Sequence, residues 1–371
     1  MQIPQRNTDN GKNAGQRWPT KTYFIILFTT IALIAAMTIA LFAVLLIGSD
    51  SKPSDNDQWQ DDLGGNNDQF GNINSLYPTT PSRDNYISAS NESVIQIGDA
   101  IQSNNTILVD LSNYTSVAEK GADQTIYPAS MTKVMTLLVA CENVTSLTKK
   151  LVVTQEDIDY KNENGGSGLL VASSLGDGFT IEDLLYMISY KSDTIACLMI
   201  AKEIAGSEEN FVRLMNAKAQ QLGLTKTYFT NCTGLHQAAH VTTCREMAAI
   251  MAYALDNELA RQILLSTDVR AIPAYNGNSD EKIVTYWGHC EWYTSEGGTR
   301  FKGDVKLNTV TVKAGKTGYT DEAGVCLVSY AVSRSTGKGY INVIVGKPKG
   351  SGLTESKSTQ EVKNIYNNYA K

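Results

Sequence analysis

Three short segments carry residue types that together can perform acyl transfer. Tyr127-Pro128-Ala129-Ser130-Met131-Thr132-Lys133 opens an apolar run, Ser192-Asp193-Thr194 lies in the middle of the chain, and Lys316-Thr317-Gly318 precedes a late strand-like stretch. A serine and a lysine three residues apart share one face of a helix. Burial or a second cation lowers a lysine pKa, so a neutral Lys133 could take the Ser130 proton without any histidine. Ser192 could relay a proton between Lys133 and a leaving amine. Lys316 with Thr317 suits a substrate carboxylate, and Gly318 lets an extended peptide approach a strand edge. The backbone amides of Ser130 and Tyr319 would then form an oxyanion hole. This chemistry calls for no cofactor and no metal.

Each segment alone has a plainer explanation. Ser-x-x-Lys also occurs at Ser49–Lys52, Ser146–Lys149, Ser279–Lys282 and Ser335–Lys338. Ser130 could be a helix cap followed by a lysine reaching for solvent, and Ser192 could cap a helix from Ile195 onward. Lys316 could sit on a solvated edge. Context separates Ser130 from its namesakes: the residues after Lys133 are almost all apolar, so a helix there carries the lysine inward.

The elements that must position these groups are readable in outline. Short β-branched runs predict strands at Ser93–Gly98, Thr106–Leu111 and Tyr114–Glu119. A helix is expected from Ala129-Ser130 to Cys141, and a second from a Thr180/Asp183 capping box to about Tyr190. Further helices are expected at Ile195–Ala205, Glu208–Leu222, Arg245–Asp256 and Ser356–Ala370. Val325–Val332 and Tyr340–Val345 flank a Ser-Thr-Gly-Lys-Gly turn and read as a hairpin. Strands at both ends with helices between predict an α+β domain whose central antiparallel sheet is built from both ends of the chain segment.

The N-terminal part reads differently. Residues 23–48 contain no charge, enough to cross a hydrocarbon layer of roughly 30 Å as a helix. Arg6, Lys12, Arg17 and Lys21 precede this run, and Asp50, Asp55, Asp57, Asp61 and Asp62 come after it. The basic side is retained in the cytoplasm, so residues 1–22 are expected inside. Residues 23–48 are then a single-pass transmembrane signal anchor rather than a cleaved leader, and the chain beyond residue 48 lies on the extracytoplasmic side. Residues 49–91 are rich in Asp, Asn, Gly, Ser and Pro and read as a disordered linker, and 92–371 as one globular domain. The net charge of −6 has no basic cluster that would suggest nucleic acid. Cys232, His236, His240 and Cys244 fall at regular spacing, but Thr233-Gly234 would break a helix aligning them. A metal site, a Cys232–Cys244 disulfide and an ordinary packed turn all remain open for this stretch, the packed turn being the plainest.

Taken together, Tyr127-Pro-Ala-Ser130-Met-Thr-Lys133, Ser192-Asp-Thr194, Thr233-Gly-Leu-His236 with His240, and Lys316-Thr-Gly-Tyr-Thr-Asp-Glu-Ala-Gly324 resemble the serine-type D-alanyl-D-alanine carboxypeptidases. These are the low-molecular-mass penicillin-binding proteins. The resemblance spans about Ser93 to Tyr369. It implies a β-lactamase/transpeptidase-like fold with a helical subdomain beside the sheet. It also implies an acyl-enzyme on Ser130, Lys133 as proton acceptor, Ser192 as relay, and Lys316, Thr317, Gly318, Tyr319 and Thr194 toward the substrate. The implied partners are peptidoglycan stem peptides ending in D-Ala-D-Ala, with β-lactams as inhibitors. Two departures stand out. The middle motif ends in Thr194 where the family has asparagine, a shorter side chain without an amide's paired donor and acceptor. That change leaves room for a weakly hydrolytic, wall-binding or β-lactam-sensing protein. The segment from Leu264 to Thr311, with Trp287, His289, Trp292 and Tyr293, is longer and more aromatic than usual, and reads as a packed surface loop rather than a lip over the cleft.

Overall fold

The computed structural model describes Ile87 and residues 93–266, 270–274, 282–286, 304–346 and 355–371, with backbone alone for 270–274, 282–286 and 355–357. They belong to one unit, Asn72–Lys371. The residues expected to span a membrane, 23–48, and those of the linker, 49–91, lie outside the described ones except Ile87. Among the described residues no helix is long and apolar enough to cross a membrane.

The frame is a seven-stranded sheet. Its strands are β1 (Ile95–Gln96), β2 (Asn105–Asp110), β3 (Thr115–Lys120), β8 (Val305–Lys306), β9 (Val310–Thr320), β10 (Gly324–Ser333) and β11 (Gly339–Val345). The spatial order is β1-β3-β2-β11-β10-β9-β8, so the two ends of the domain meet where β2 pairs with β11. The expectation of a purely antiparallel sheet needs one correction. β1 runs parallel to β3, with Ile95 opposite Ala118 and Gln96 opposite Glu119, so the sheet is mixed at that edge. The strand expected over Ser93–Gly98 shrinks to two residues, both exposed.

Alternation along the strands divides the core in two. Ile107, Val109, Ala314, Val328, Ile341 and Val343 face one apolar cluster, together with the helices between the two halves of the sheet. Leu108, Val312, Leu327, Ala331 and Ile344 face another with Val362, Ile365 and Tyr366, which lie on the C-terminal helix Glu355–Tyr369. Period-two burial on both faces marks this sheet as a middle layer.

The helices of the first cluster are α1 (Lys133–Asn143), α2 (Gln155–Asn164), α3 (Ile181–Lys191), α4 (Thr194–Ala205), α5 (Glu208–Gln221), α6 (Cys244–Asp256) and α7 (Glu258–Leu265). Every residue of α1 from Lys133 to Ala140 is buried, so this helix is a core rod rather than an amphipathic surface element. Two of these helices, α2 and α7, have no counterpart among the sequence expectations. Nor do the small antiparallel pair β4 (Lys150–Val152) and β5 (Gly178–Thr180), and a hairpin of β6 (Arg270–Ala274) and β7 (Lys282–Tyr286). That hairpin lies in the segment expected to be a plain loop. Its strands adjoin β5 and α3, on the helical side of the domain. Trp287, His289, Trp292 and Tyr293 fall outside the described residues.

Candidate active site

The Ser130 turn is held by two glycines. Ala129–Thr132 forms a 3-10 turn that leads into α1. In such a turn residues three apart eclipse, which brings Ser130 and Lys133 into line more directly than an α-helix would. Ala129 itself has φ of 46°, a left-handed conformation that costs an alanine about 1 kcal/mol. Its surroundings leave it no alternative. Gly234, at φ +82°, lies so close that a Cβ there would sit 2.0 Å from the Ala129 carbonyl oxygen. On the other side a Cβ on Gly318 would come 2.9 Å from the Ser130 amide nitrogen. Gly318 thus serves the contact between β9 and the Ser130 turn, and Tyr319 is the next residue along the same strand.

Within this vise Lys133 Nζ lies 3.1 Å from Ser130 Oγ and also donates to the Thr233 carbonyl. Lys133 is only 2% exposed. Burial lowers its pKa from the ordinary lysine value, while Asp193 acts in the opposite direction. A neutral amine that spends one N–H on Thr233 keeps its lone pair for the hydroxyl. Serine as a helix cap, the plainer reading of Ser130, does not hold, because the residue capping the turn is Pro128.

Ser192 ends α3 in a left-handed conformation, φ 54° and ψ 35°, and Asp193 rather than Ser192 caps α4 through the Ala196 amide. The left-handed step turns the serine out of both helices. Lys316 Nζ, from β9, lies 3.0 Å from Ser192 Oγ and 2.7 Å from the Thr317 carbonyl. The three segments therefore meet: two serine hydroxyls each carry a lysine amine, and both lysines are buried. Thr317 and Tyr319 are exposed on β9, and among the described residues β8 covers that strand only at Thr311 and Val312.

Thr194 is placed differently from its partners. It is 1% exposed, its hydroxyl has no hydrogen-bond partner among the described residues, and a Cβ on Gly166 would lie 2.3 Å from that oxygen. The threonine lies beneath the loop at the end of α2.

His240, noted in the sequence beside a possible metal or disulfide, buttresses the Ser130 turn. Its Nδ1 accepts from the Thr230 amide at 3.1 Å, so Nε2 carries the proton and donates to Thr132 Oγ1 at 2.8 Å. Burial above all, with Lys133 and His236 nearby, holds its pKa down at about 3. His236 packs edge-on against Tyr127, with ring centroids 4.7 Å apart. Cys232 Sγ donates to Glu208, and Cys232 and Cys244 are both free thiols, so the disulfide alternative fails. Cys290 is outside the described residues.

Residues 90–349 match the profile of the peptidase S11 family, D-alanyl-D-alanine carboxypeptidase. The chain belongs to this family. Its relatives include D-alanyl-D-alanine carboxypeptidase DacF of Bacillus subtilis, 29% identical over 237 residues, covering 62% of this chain and 54% of that protein. D-alanyl-D-alanine carboxypeptidase DacC of Escherichia coli is 32% identical over 148 residues, 39% of this chain and 37% of the relative. The chain thus spans about half the length, or less, of these relatives. The fold is that of the Streptomyces K15 DD-transpeptidase, with a TM-score of 0.60 at 23% identity, over 72% of this chain and 96% of that one. A D-alanyl-D-alanine carboxypeptidase from Mycobacterium tuberculosis gives a TM-score of 0.57 at 22% identity, over 75% and 96% of the two chains.

Proposed function

We propose that this family member is a serine D-Ala-D-Ala carboxypeptidase that removes the terminal D-alanine from peptidoglycan stem peptides through an acyl-enzyme on Ser130. The observation that carries the reading is the convergence of two hydroxyl–amine pairs, Ser130 with Lys133 and Ser192 with Lys316. Ser130 Oγ attacks the carbonyl of the penultimate D-alanine as its proton passes to Lys133. The amides of Ser130 and Tyr319 receive the oxyanion, and Lys316 with Thr317 takes the terminal carboxylate. The proton then moves through Ser192 to the leaving amine, D-alanine departs, and water hydrolyses the ester on Ser130. Penicillins present a carbonyl and a carboxylate at similar spacing and acylate the same serine.

The test uses a diacetylated Lys-D-Ala-D-Ala peptide and a fluorescent penicillin. The parent chain is expected to release D-alanine, detected by mass spectrometry, and to be labelled. Ser130→Ala should lose both. Release of D-alanine by that variant at the parent rate overturns the assignment, and labelling without any release by the parent favours a β-lactam-sensing protein instead.

The same reading places the catalytic domain outside the cell, tethered through residues 49–91 to a membrane helix at 23–48. It is supported by the uncharged run and its flanking charges. Protease added to intact cells should remove the catalytic domain; its survival under those conditions would refute the topology.

A further inference from the structure

The middle motif is gripped by a loop that none of its own residues explain. Between α2 and Leu170 the chain runs Asn164-Gly165-Gly166-Ser167-Gly168-Leu169-Leu170, and this stretch bonds all three motif residues. Ser167 Oγ donates to the Ser192 carbonyl at 2.7 Å, and the Ser167 carbonyl accepts from the Thr194 amide at 3.1 Å. Asp193 Oδ2 accepts from the amides of Leu169 at 2.6 Å and Leu170 at 2.9 Å. Gly168 makes that reach possible: at φ +111°, a Cβ there would lie 2.3 Å from Asp193 Oδ2. Two carbonyls of the same short segment are held by one cation, the Gly168 carbonyl sharing its peptide with the Leu169 amide. Lys161 Nζ, on the last turn of α2, donates to the Leu170 carbonyl at 2.7 Å and to the Gly168 carbonyl at 3.3 Å. The segment is clamped with its amides on an anion and its carbonyls on a cation.

We propose that Lys161 is a positioning residue for Ser192: by holding the Gly168–Leu170 peptides against Asp193 it fixes the left-handed turn that aims the Ser192 hydroxyl at Lys316. The inference rests on the acyl-transfer reading above and adds a residue that does not touch substrate. Electrostatics link the two ends of the clamp. Asp193 is fully buried, and burial raises its carboxyl pKa, while the Leu170, Ala196 and Leu169 amides and the Lys161 charge lower it. The other titratable groups around it are Lys133 on α1 and Cys197 on α4, with Lys316 beyond Ser192. Burial pushes the Cys197 thiol up to about 12, so it stays protonated. Without Lys161 one counterweight to burial is gone, and the Asp193 carboxylate takes its proton at a higher pH. A protonated Asp193 is a poorer acceptor for the two amides, so the clamp loosens at a higher pH and adds its loss to the acid limb that protonation of Lys133 already sets.

The experiment measures the second-order rate constant for acylation by a fluorescent penicillin across the acid and neutral range, for the parent chain, Lys161→Met and Lys161→Arg. Amide hydrogen exchange at Leu169 and Leu170 is measured in the same proteins. Lys161→Met is expected to slow acylation about tenfold near neutrality, less than the roughly hundredfold cost of a reacting group misplaced by about 1 Å because Lys161 acts at one remove, and to shift the acid limb upward. Lys161→Arg, which can still donate to two carbonyls, should restore the parent profile. Exchange at Leu169 and Leu170 should rise in the Met variant. An unchanged pH profile in Lys161→Met, or faster exchange at those amides with parent-like acylation, overturns the proposal. If Lys161→Met does not fold, Lys161→Gln, which keeps a donor but loses the charge, is measured in its place, and a parent-like pH profile in that variant overturns the proposal. Failure of the acyl-transfer reading would show separately, as a parent chain that penicillin does not label at all.

Discussion

The Ser130 turn and the Ser192 turn place their hydroxyls by opposite means. At Ser130 the backbone is wedged between apolar neighbours and two glycines, and the lysine it needs is three residues away, at the head of the rod that follows the turn. At Ser192 the backbone is tied by hydrogen bonds to a loop, and the lysine it needs arrives from a strand 124 residues later. Close packing responds to any added volume, because interiors have few voids to absorb it. A polar clamp responds to charge and pH. The first turn should therefore break sharply with shape, and the second gradually with protonation.

The largest effect is expected where shape alone is changed. Gly234→Val puts a branched carbon against the Ala129 carbonyl and imposes a φ near +82° on a β-branched residue. No side chain can yield there, since the atom met is backbone. Acylation by a fluorescent penicillin should fall at least about a hundredfold, because a small displacement of a reacting group is costly to rate. Parent-rate labelling would mean the wedge does not hold Ser130 in place.

His240 makes the packed side sensitive to pH. Its folded pKa of about 3 lies below the ordinary value of 6.5. As pH falls below 6.5 the unfolded chain takes up a proton that the folded chain refuses until about 3, so stability is lost across that window. The whole window is worth on the order of 5 kcal/mol. His240→Gln removes the titration while leaving a donor and an acceptor near Thr132 and Thr230. Urea denaturation at about pH 7 and about pH 4 should show a smaller acid loss in the variant than in the parent. Equal losses would place the titrating group elsewhere.

The clamped side answers to a single atom exchange. Asp193→Asn keeps size and hydrogen-bonding type but sets an NH2 against either the Leu169 and Leu170 amides or the Ala196 amide. Either orientation leaves buried donors facing a donor, which costs about 3 kcal/mol. Thermal unfolding should report that loss, together with slower acylation. A variant as stable as its parent would show that the carboxylate is not what holds the loop.

The contrast also explains what the sequence disclosed. Ser130 and Lys133 are legible because helical spacing is local and the apolar run after them says where the lysine goes. The hairpin of β10 and β11 was legible for the same reason, its turn being only a few residues long. The grip on Ser192 was not. Lys161 sits on α2, whose sequence Gln-Glu-Asp-Ile-Asp-Tyr-Lys-Asn-Glu-Asn is too polar to show a helical period, although Thr154 and Asp157 form a capping box that announces it. The glycines at 165, 166 and 168 mark a turn without telling what it covers. The parallel pairing of β1 was hidden too, since two exposed residues carry no alternation. Family resemblance supplied the meeting of the three motifs, and it also suggested a substrate-facing role for Thr194 that its burial does not favour.

Thr194 therefore gives the finest test of the contrast. Its hydroxyl is buried beneath Gly166 without a partner among the described residues, and an unsatisfied hydroxyl costs folding energy. Valine has nearly the same shape and no polar atom. If Thr194 serves only to pack beneath the loop, Thr194→Val should raise unfolding stability by about 1 kcal/mol and leave acylation within about twofold of the parent. If the loop instead lifts when substrate enters and the hydroxyl then meets the peptide, the same substitution should raise stability yet slow acylation about tenfold, the size of one lost hydrogen bond to a bound ligand. The pairing of those two readouts separates a packing residue from a binding one, which neither the motif spacing nor the resting geometry does alone.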